Sequence, residues 1–264
     1  MIKVLVIGAC GKMGREVVKA VVKQDNMQLV GAVDVVNEGL DIGSIVLNKE
    51  LNVKIQSDLQ SAINEVKPDV AIDFTQPSVI FNNAKILLNS NVRPVIGTTG
   101  LSDAQISELK KISEEKNISA LIAPNFTIGA VLMMMFAKKA AQYFDNAEII
   151  ELHHNQKKDA PSGTAVKTAQ LMSEVKDSFT VNNCAETELV KGSRGGSSYS
   201  DIHIHSVRMP GYIASQEVLF GSAGQIMTIR HDSMDRECYM SGVVLAVNHV
   251  FNNSGFVYGL DNIL

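Results

Sequence analysis

Two rhythms alternate along the first half of the chain, and a third replaces them in the second. Residues 3–7 are a short run dominated by branched apolar side chains, as expected of a strand buried on both faces. Behind it Val17, Val18, Ala20, Val21 and Val22 recur at helical spacing. Residues 28–33 read as a second strand, and 70–74, 93–97 and 120–123 as three more, with helical stretches at 79–88 and 104–116 between them. Repeated βα units of this length predict a parallel, doubly wound sheet. A helix is expected at 128–143, where Met133, Met134 and Met135 read as core packing rather than a ligand site. A strand at 147–152 then leads into a polar segment, and a helix at 163–174 has Pro161 near its start and Ser162 as its N-cap. Residues 182–200 are polar, and 191–198 read as a mobile loop. Strands at 202–208, 214–220 and 225–231 alternate in the manner of a mixed or antiparallel sheet with one free face, and a last helix is expected at 235–250. The change of rhythm in mid-chain predicts two domains, and there is no internal repeat.

Composition narrows the function classes. With 264 residues, 45% apolar and 20% charged, the chain has ample material for a core. A net charge of −4 provides no basic excess for a nucleic-acid partner. Cys10, Cys184 and Cys238 are odd in number and widely spaced, which is neither a metal pattern nor a disulfide framework and suits a reducing cytoplasm. The first residues run straight into a glycine loop without the features of a signal peptide, and the apolar run at 128–137 is too short to span a bilayer, so no membrane association is expected.

Two segments carry chemistry. The first is Gly8-Ala9-Cys10-Gly11-Lys12-Met13-Gly14, between the first strand and the first helix. Glycines at 8, 11 and 14 allow a tight turn, close approach of a pyrophosphate and close helix–strand packing, although the spacing is G-x-x-G-x-x-G rather than the commoner G-x-G-x-x-G. Asp34 ends the second strand, where an acidic residue takes the adenosine ribose hydroxyls of a dinucleotide. Three later strands end in Asp73-Phe74-Thr75, Gly97-Thr98-Thr99-Gly100 and Ala123-Pro124-Asn125-Phe126. Ligands on such sheets bind beyond the carboxyl ends of the strands.

The second segment is Glu151-Leu152-His153-His154-Asn155-Gln156-Lys157-Lys158-Asp159-Ala160-Pro161-Ser162-Gly163-Thr164-Ala165. Imidazoles exchange protons near neutral pH, and lysines and free helix N–H groups hold anions. Together they describe a pocket for a small acidic substrate that gains or loses a proton. Lys158 reads as a solvated charge, and Asp159 is assigned no chemistry. His203 and His205 share one side of a strand, so a metal pair is conceivable, but no further ligand stands at a telling spacing and a packed or hydrogen-bonded role is expected.

Taken together, these motifs resemble the 4-hydroxy-tetrahydrodipicolinate (dihydrodipicolinate) reductase family over nearly the full length. Ser206-Val207-Arg208 and Phe220-Gly221 are similar to later family segments. The resemblance implies an α/β fold: a Rossmann-like doubly wound parallel sheet, residues 1–126 with 235–264, for the dinucleotide, and an α+β domain with a mixed or antiparallel sheet, residues 127–234, for substrate binding and oligomerisation. It implies NAD(P)H-dependent reduction of a small cyclic dicarboxylate in lysine and diaminopimelate biosynthesis, with hydride transfer to ring C4. His153 would protonate the neighbouring carbon, Lys157 would assist, and His154, Gly163 and Thr164 would hold substrate carboxylates. Gly8, Ala9, Cys10, Gly11, Lys12, Met13, Asp34, Gly97, Thr98, Thr99, Ala123, Pro124, Asn125 and Phe126 would form the cofactor site. A cytoplasmic homotetramer is implied, its substrate domain closing over the cofactor.

The chain departs from the family pattern in two places. Asn155 and Gln156 stand where some members carry further basic residues. Asp34 is followed by Val35 and Val36, with no arginine for a 2′-phosphate, so NADH is expected to be preferred, or used alongside NADPH with Lys12 partly offsetting the acid. Two other readings stay open at this point: a different dehydrogenase of the same architecture, and a nucleotide-sensing regulator that has lost turnover.

Overall fold

The computed structural model describes residues 1–180 and 187–264; Cys184 and the start of the polar 182–200 stretch lie outside the described residues. In chain order the elements are β1 (Ile2–Ile7), α1 (Lys12–Val22), β2 (Met27–Val33), α2 (Ile42–Leu47), β3 (Ile55–Gln56), α3 (Leu59–Val66), β4 (Val70–Asp73), α4 (Pro77–Asn89), β5 (Arg93–Ile96), α5 (Asp103–Lys116) and β6 (Ala120–Ile122). They continue with α6 (Ile128–Ala141), β7 (Asn146–His153), α7 (Gly163–Ser173), β8 (Gly196–Ser197), β9 (His203–Arg208), β10 (Ala214–Ser222), β11 (Gln225–Ser233), α8 (Met240–Asn252) and β12 (Phe256–Tyr258). The chain divides into two compact units, 1–128 with 239–264, and 129–238.

The first unit is built on a seven-stranded sheet in the order β12-β6-β5-β4-β1-β2-β3. Every ladder in it is parallel. This is the Rossmann-like doubly wound arrangement. Its central strands are mostly apolar because helices cover both faces, and β4 and β6 are buried at every position, Asp73 at the end of β4 included. The order reverses between β1 and β4, so their carboxyl ends form the topological switch point, the usual ligand crevice of an open α/β sheet. Local chemistry fits the elements: Ser102 and Gln105 form a reciprocal capping box at the start of α5.

Four short elements of this unit go beyond the sequence pattern. α2, β3 and α3 fill the span between β2 and β4, and β12 adds an outer strand beside β6. A two-residue strand and helices of six and eight residues are too short to show a period. The last helix also starts later than expected: a 3-10 turn, Arg236–Tyr239, precedes α8.

The second unit has a mixed five-stranded sheet, β11-β10-β7-β9-β8. β7 and β9 run parallel and the other neighbours antiparallel. Its core joins Ala137 and Ala141 of α6 and Ala165, Ala169 and Met172 of α7 to Ile149, Ile204, Val218 and Phe220 of the sheet. Met133 is buried as expected of core packing, whereas Met135 is 36% exposed, because consecutive helical residues cannot all face one side. Part of the expected 191–198 loop is strand: β8 pairs with β9.

Candidate functional site

In the first unit the glycine loop is held by its own backbone. Gly8 has φ +76°, and a Cβ there would lie 2.9 Å from the Phe74 carbonyl oxygen. A Cβ on Gly14 would fall 2.0 Å from the Gly8 carbonyl oxygen, so α1 touches the β1 turn backbone to backbone. Gly8 and Ala9 donate their N–H groups to the Val33 carbonyl at 2.8 and 3.2 Å, and Gly11 donates to Gly8 at 3.0 Å. Cys10 N–H donates to Asp34 Oδ2 at 2.8 Å, and Val36 N–H to Asp34 Oδ1 at 3.2 Å. Asp34 therefore ties the loop to the end of β2 as well as offering a carboxylate there. Ala9 is fully buried, while Lys12 is exposed and Met13 half-buried. Gly11 caps α1 without a side-chain hydrogen bond, which leaves the first-turn N–H groups of the helix open to an anion. Burial pushes the Cys10 thiol above its ordinary range. Arg15, which the motif reading passed over, donates from Nε to the Cys10 carbonyl at 2.9 Å and adds a second cation to the loop.

The next strand ends line up beside it. Asp73 is completely buried; its carboxylate accepts from Thr75 N–H (2.8 Å), Thr75 Oγ1 (2.6 Å) and Asn83 Nδ2 (2.8 Å). Burial raises its pKa despite those hydrogen bonds. A Cβ on Gly97 would sit 2.1 Å from the Phe74 ring, so only glycine admits that ring. Phe74 in turn packs on Phe126 with ring centroids 5.8 Å apart. Thr98, Thr99 and Gly100 line a small cleft with Pro124 and with Tyr258 of β12. Tyr258 enters only because β12 pairs with β6, a contact invisible in the sequence. Asn125 Oδ1 accepts from Thr127 N–H at 2.9 Å and shapes the turn after Ala123.

In the second unit β7 delivers the histidine segment. Alternation along the strand puts Glu151 and His153 on one face. Glu151 is completely buried, and its Oε2 lies 2.5 Å from His153 Nδ1. Arg208, opposite His153 on β9, donates from Nη1 to Oε2 at 2.8 Å and from Nη2 to Oε1 at 2.7 Å. Ser162 N–H donates to Oε1 at 3.2 Å. Although burial opposes ionisation, hydrogen bonds from His153 and Arg208 hold the Glu151 carboxyl at about 2. The His153 side chain keeps 14% of its surface exposed. The sequence motifs contain Glu151 and Arg208 but assign them no role; the i, i+2 spacing signals the first, and only the β7–β9 register reveals the second.

The loop after β7 folds back on itself. Lys157 N–H donates to the His154 carbonyl at 3.2 Å, and Lys157 Nζ contacts both Asp159 oxygens at 2.8 Å. Lys157 thereby holds the Asp159 carboxyl below its ordinary range. Arg208 Nη2 also donates to the Asp159 carbonyl at 2.8 Å, fastening this loop to the sheet. His154 and Lys158 are exposed. Ser162 caps α7, its Oγ accepting from Ala165 N–H at 3.2 Å. A Cβ on Gly163 would meet nothing within 4 Å, so space lies open before the start of α7, and Thr164 is half-buried beside it. His153, Lys157, Gly163 and Thr164 thus share one region of the second unit. The glycine loop, Asp34 and the later strand ends share the carboxyl edge of the first.

His203 and His205 lie apart from this. His203 Nδ1 pairs with the Arg194 carbonyl at 2.7 Å, and His205 Nε2 with Glu148 Oε2 at 2.7 Å. Glu148 also accepts from Arg194 Nη2 at 2.8 Å. Among the described residues there is no group of three or more His, Cys, Asp or Glu arranged to hold a metal ion.

Comparison with known proteins finds relatives along the whole chain. Residues 2–126 match the family model "Dihydrodipicolinate reductase, N-terminus" and residues 129–264 match "Dihydrodipicolinate reductase, C-terminus". A protein of Listeria innocua named 4-hydroxy-tetrahydrodipicolinate reductase is 52% identical over 262 residues, covering 99% of both chains. One of the same name from Desulfitobacterium hafniense is 51% identical over all 264 residues and 98% of its own length. The dipicolinate-bound dihydrodipicolinate reductase of Paenisporosarcina sp. TG-14 superposes with a TM-score of 0.91 at 47% identity, over the full length of both chains. An amine dehydrogenase of Mycobacterium smegmatis shares the fold at a TM-score of 0.72 and only 12% identity. With both halves matched and half of all positions identical to named reductases, the chain is an oxidoreductase that belongs to the dihydrodipicolinate reductase family.

Proposed function

We propose that this chain reduces 4-hydroxy-tetrahydrodipicolinate to tetrahydrodipicolinate with a reduced nicotinamide dinucleotide, in lysine and diaminopimelate biosynthesis. In this reading the unit of residues 1–128 with 239–264 binds the dinucleotide and that of residues 129–238 binds the substrate. The observation that carries it is His153: a partly exposed imidazole anchored on a buried carboxylate, with Lys157 and the open start of α7 on the same loop.

The first unit fits a dinucleotide. Gly8 and Gly14 let backbone approach closely, and the uncapped start of α1 offers N–H groups to the pyrophosphate. The ring C4 hydroxyl first leaves as water with a proton from the neighbouring ring carbon, which sets a C=C bond in conjugation with the imine; when bound, the reduced nicotinamide would supply the hydride that adds at C4. The remaining work falls to side chains. Addition to the conjugated imine leaves an electron-rich enamine that needs one proton at the carbon beside C4. His153 donates it from Nε2, since Nδ1 is committed to Glu151. Lys157, released from Asp159, offsets negative charge and assists the transfer. His154 and the N–H groups at Gly163 and Thr164 hold the two ring carboxylates.

Asp34 directly follows β2 beside exposed Val35, with no arginine following, which supports NADH as the preferred cofactor or dual use with NADPH. The family resemblance supports a cytoplasmic homotetramer. Among the described residues no helix is long and apolar enough to cross a membrane. The test is cofactor oxidation at 340 nm, with substrate generated from pyruvate and aspartate semialdehyde by the preceding synthase. Substrate-dependent oxidation that collapses in His153→Gln is expected. A folded protein that binds NADH without turnover would overturn the proposal in favour of a nucleotide sensor.

A further inference from the structure

We propose that Glu151 and Arg208 form a charge-balanced clamp that fixes the tautomer of His153 and sets the pH at which it releases its proton. Both are then positioning residues, and the inference rests on the reading of His153 as the proton donor.

The argument begins with burial. A carboxylate with no exposed surface is costly unless its oxygens are fully engaged. Glu151 satisfies this with two N–H groups of Arg208, the Ser162 N–H, the Ser206 side chain and His153 Nδ1. An ionised carboxylate only accepts hydrogen bonds. The hydrogen between Glu151 and His153 therefore resides on Nδ1, and Nε2 is left as the atom that carries or lacks the mobile proton. Holding the ring this way removes both the wrong tautomer and the rotational freedom that would misplace Nε2.

Arg208 balances the carboxylate. Alone, a buried negative charge against the ring would grip the imidazolium and slow proton release. The bidentate guanidinium opposes that field while leaving the hydrogen bond in place. The same guanidinium reaches the Asp159 carbonyl, so one side chain ties the Lys157 loop to the His153 strand. The other groups around the ring do not duplicate this role. On β10 the residue opposite His153 is Ala214, Lys157 and Asp159 pair with each other on the loop, and Lys167 of α7 is exposed.

Two measurements test the clamp. In the ligand-free native protein, 15N NMR of labelled histidine, assigned with His153→Gln, reports the neutral tautomer directly. Hydrogen on Nδ1 is expected; hydrogen on Nε2 would overturn the proposal whatever the activity. The second is the alkaline limb of the kcat–pH profile, where the acid form of His153 is lost. Glu151→Gln leaves Arg208 unopposed and should move the limb down by about one pH unit; Arg208→Gln leaves Glu151 unopposed and should move it up by about as much. Arg208→Lys should return it toward the native position. A purely structural pair would lower kcat without opposite displacements, and shifts in one direction or none refute charge balance. Should either variant fail to fold, the tautomer in the native chain still decides. Absence of reductase activity in the native protein would sink the functional reading, while the tautomer result would stand on its own.

Discussion

Replacing Gly14 by alanine sets two effects against each other. Gly14 lies inside α1, where alanine ordinarily stabilises by about 1 kcal/mol through helix propensity. Here the new Cβ would lie 2.0 Å from the Gly8 oxygen, 2.7 Å from the Gly8 carbonyl carbon and 2.8 Å from the Ala9 Cα. All three are backbone atoms of the loop, so no side chain can swing away. Relief requires α1 to retreat from β1 by roughly an ångström, loosening Val17, Val18 and Val21, which are buried against the sheet. Overpacking costs about 1–3 kcal/mol even where side chains yield, so a backbone collision belongs at or above the upper figure. After the propensity gain the net loss is about 2 kcal/mol. The helix start recedes with the helix, so the dinucleotide affinity should fall by about tenfold or more. Urea unfolding measures the first and NADH fluorescence titration the second. Gly163→Ala is the internal control: its Cβ has open space, and stability should hold. A Gly14→Ala protein with native stability and NADH affinity within about threefold of native would refute the packing argument.

Other substitutions probe the remaining parts. Asp34→Ser removes a negative charge and the acceptor for Cys10 N–H, so the NADPH/NADH ratio of kcat/KM should rise by about tenfold while NADH itself binds less tightly; an unchanged ratio would count against Asp34 as the discriminator. Ser162→Ala deletes the α7 cap and should cost about 1 kcal/mol, with KM for the dicarboxylate rising more than kcat falls; a KM equal to native would detach the helix start from substrate binding. Glu151 provides a pH signature. Its carboxyl is held at about 2 when folded, below the unfolded value of about 4.3, so its contribution is present above that unfolded value and is lost as pH falls through the folded one. The stability gap between native and Glu151→Gln protein should therefore narrow by up to about 3 kcal/mol on acidification from neutrality toward pH 2. A gap independent of pH would show that the ion pair is not what the glutamine removes.

Much of this architecture was legible in the chain. The apolar runs of β1, β4, β5 and β6 are strands because both faces are covered, and burial on two faces leaves no polar alternation to misread. The Ser162 cap and the helix after it follow from local hydrogen bonding alone. The dense histidine–lysine segment stands out in the chain by residue type alone, because imidazoles and ammonium groups together suit proton transfer and anion binding. Less visible were α2, β3 and α3, whose few residues carry no readable period, and β12, which is a strand only because β6 leaves an edge to pair with.

What the tertiary structure alone decided is partnership. Asp34 reads in the chain as a cofactor contact; folded, it also holds the glycine loop, because the β1–β2 ladder brings Cys10 to its carboxylate. Glu151 and His153 are two residues apart and could be paired from strand periodicity, but Arg208 lies 57 residues away from Glu151 and meets it only through the parallel register of β7 and β9. The Gly97 requirement likewise comes from the Phe74 ring just past the end of the neighbouring strand β4. Composition and period are local properties and specify elements and residue types. Which charge neutralises which, and which nitrogen of an imidazole faces outward, depends on strand register and burial, and these exist only once distant segments have packed.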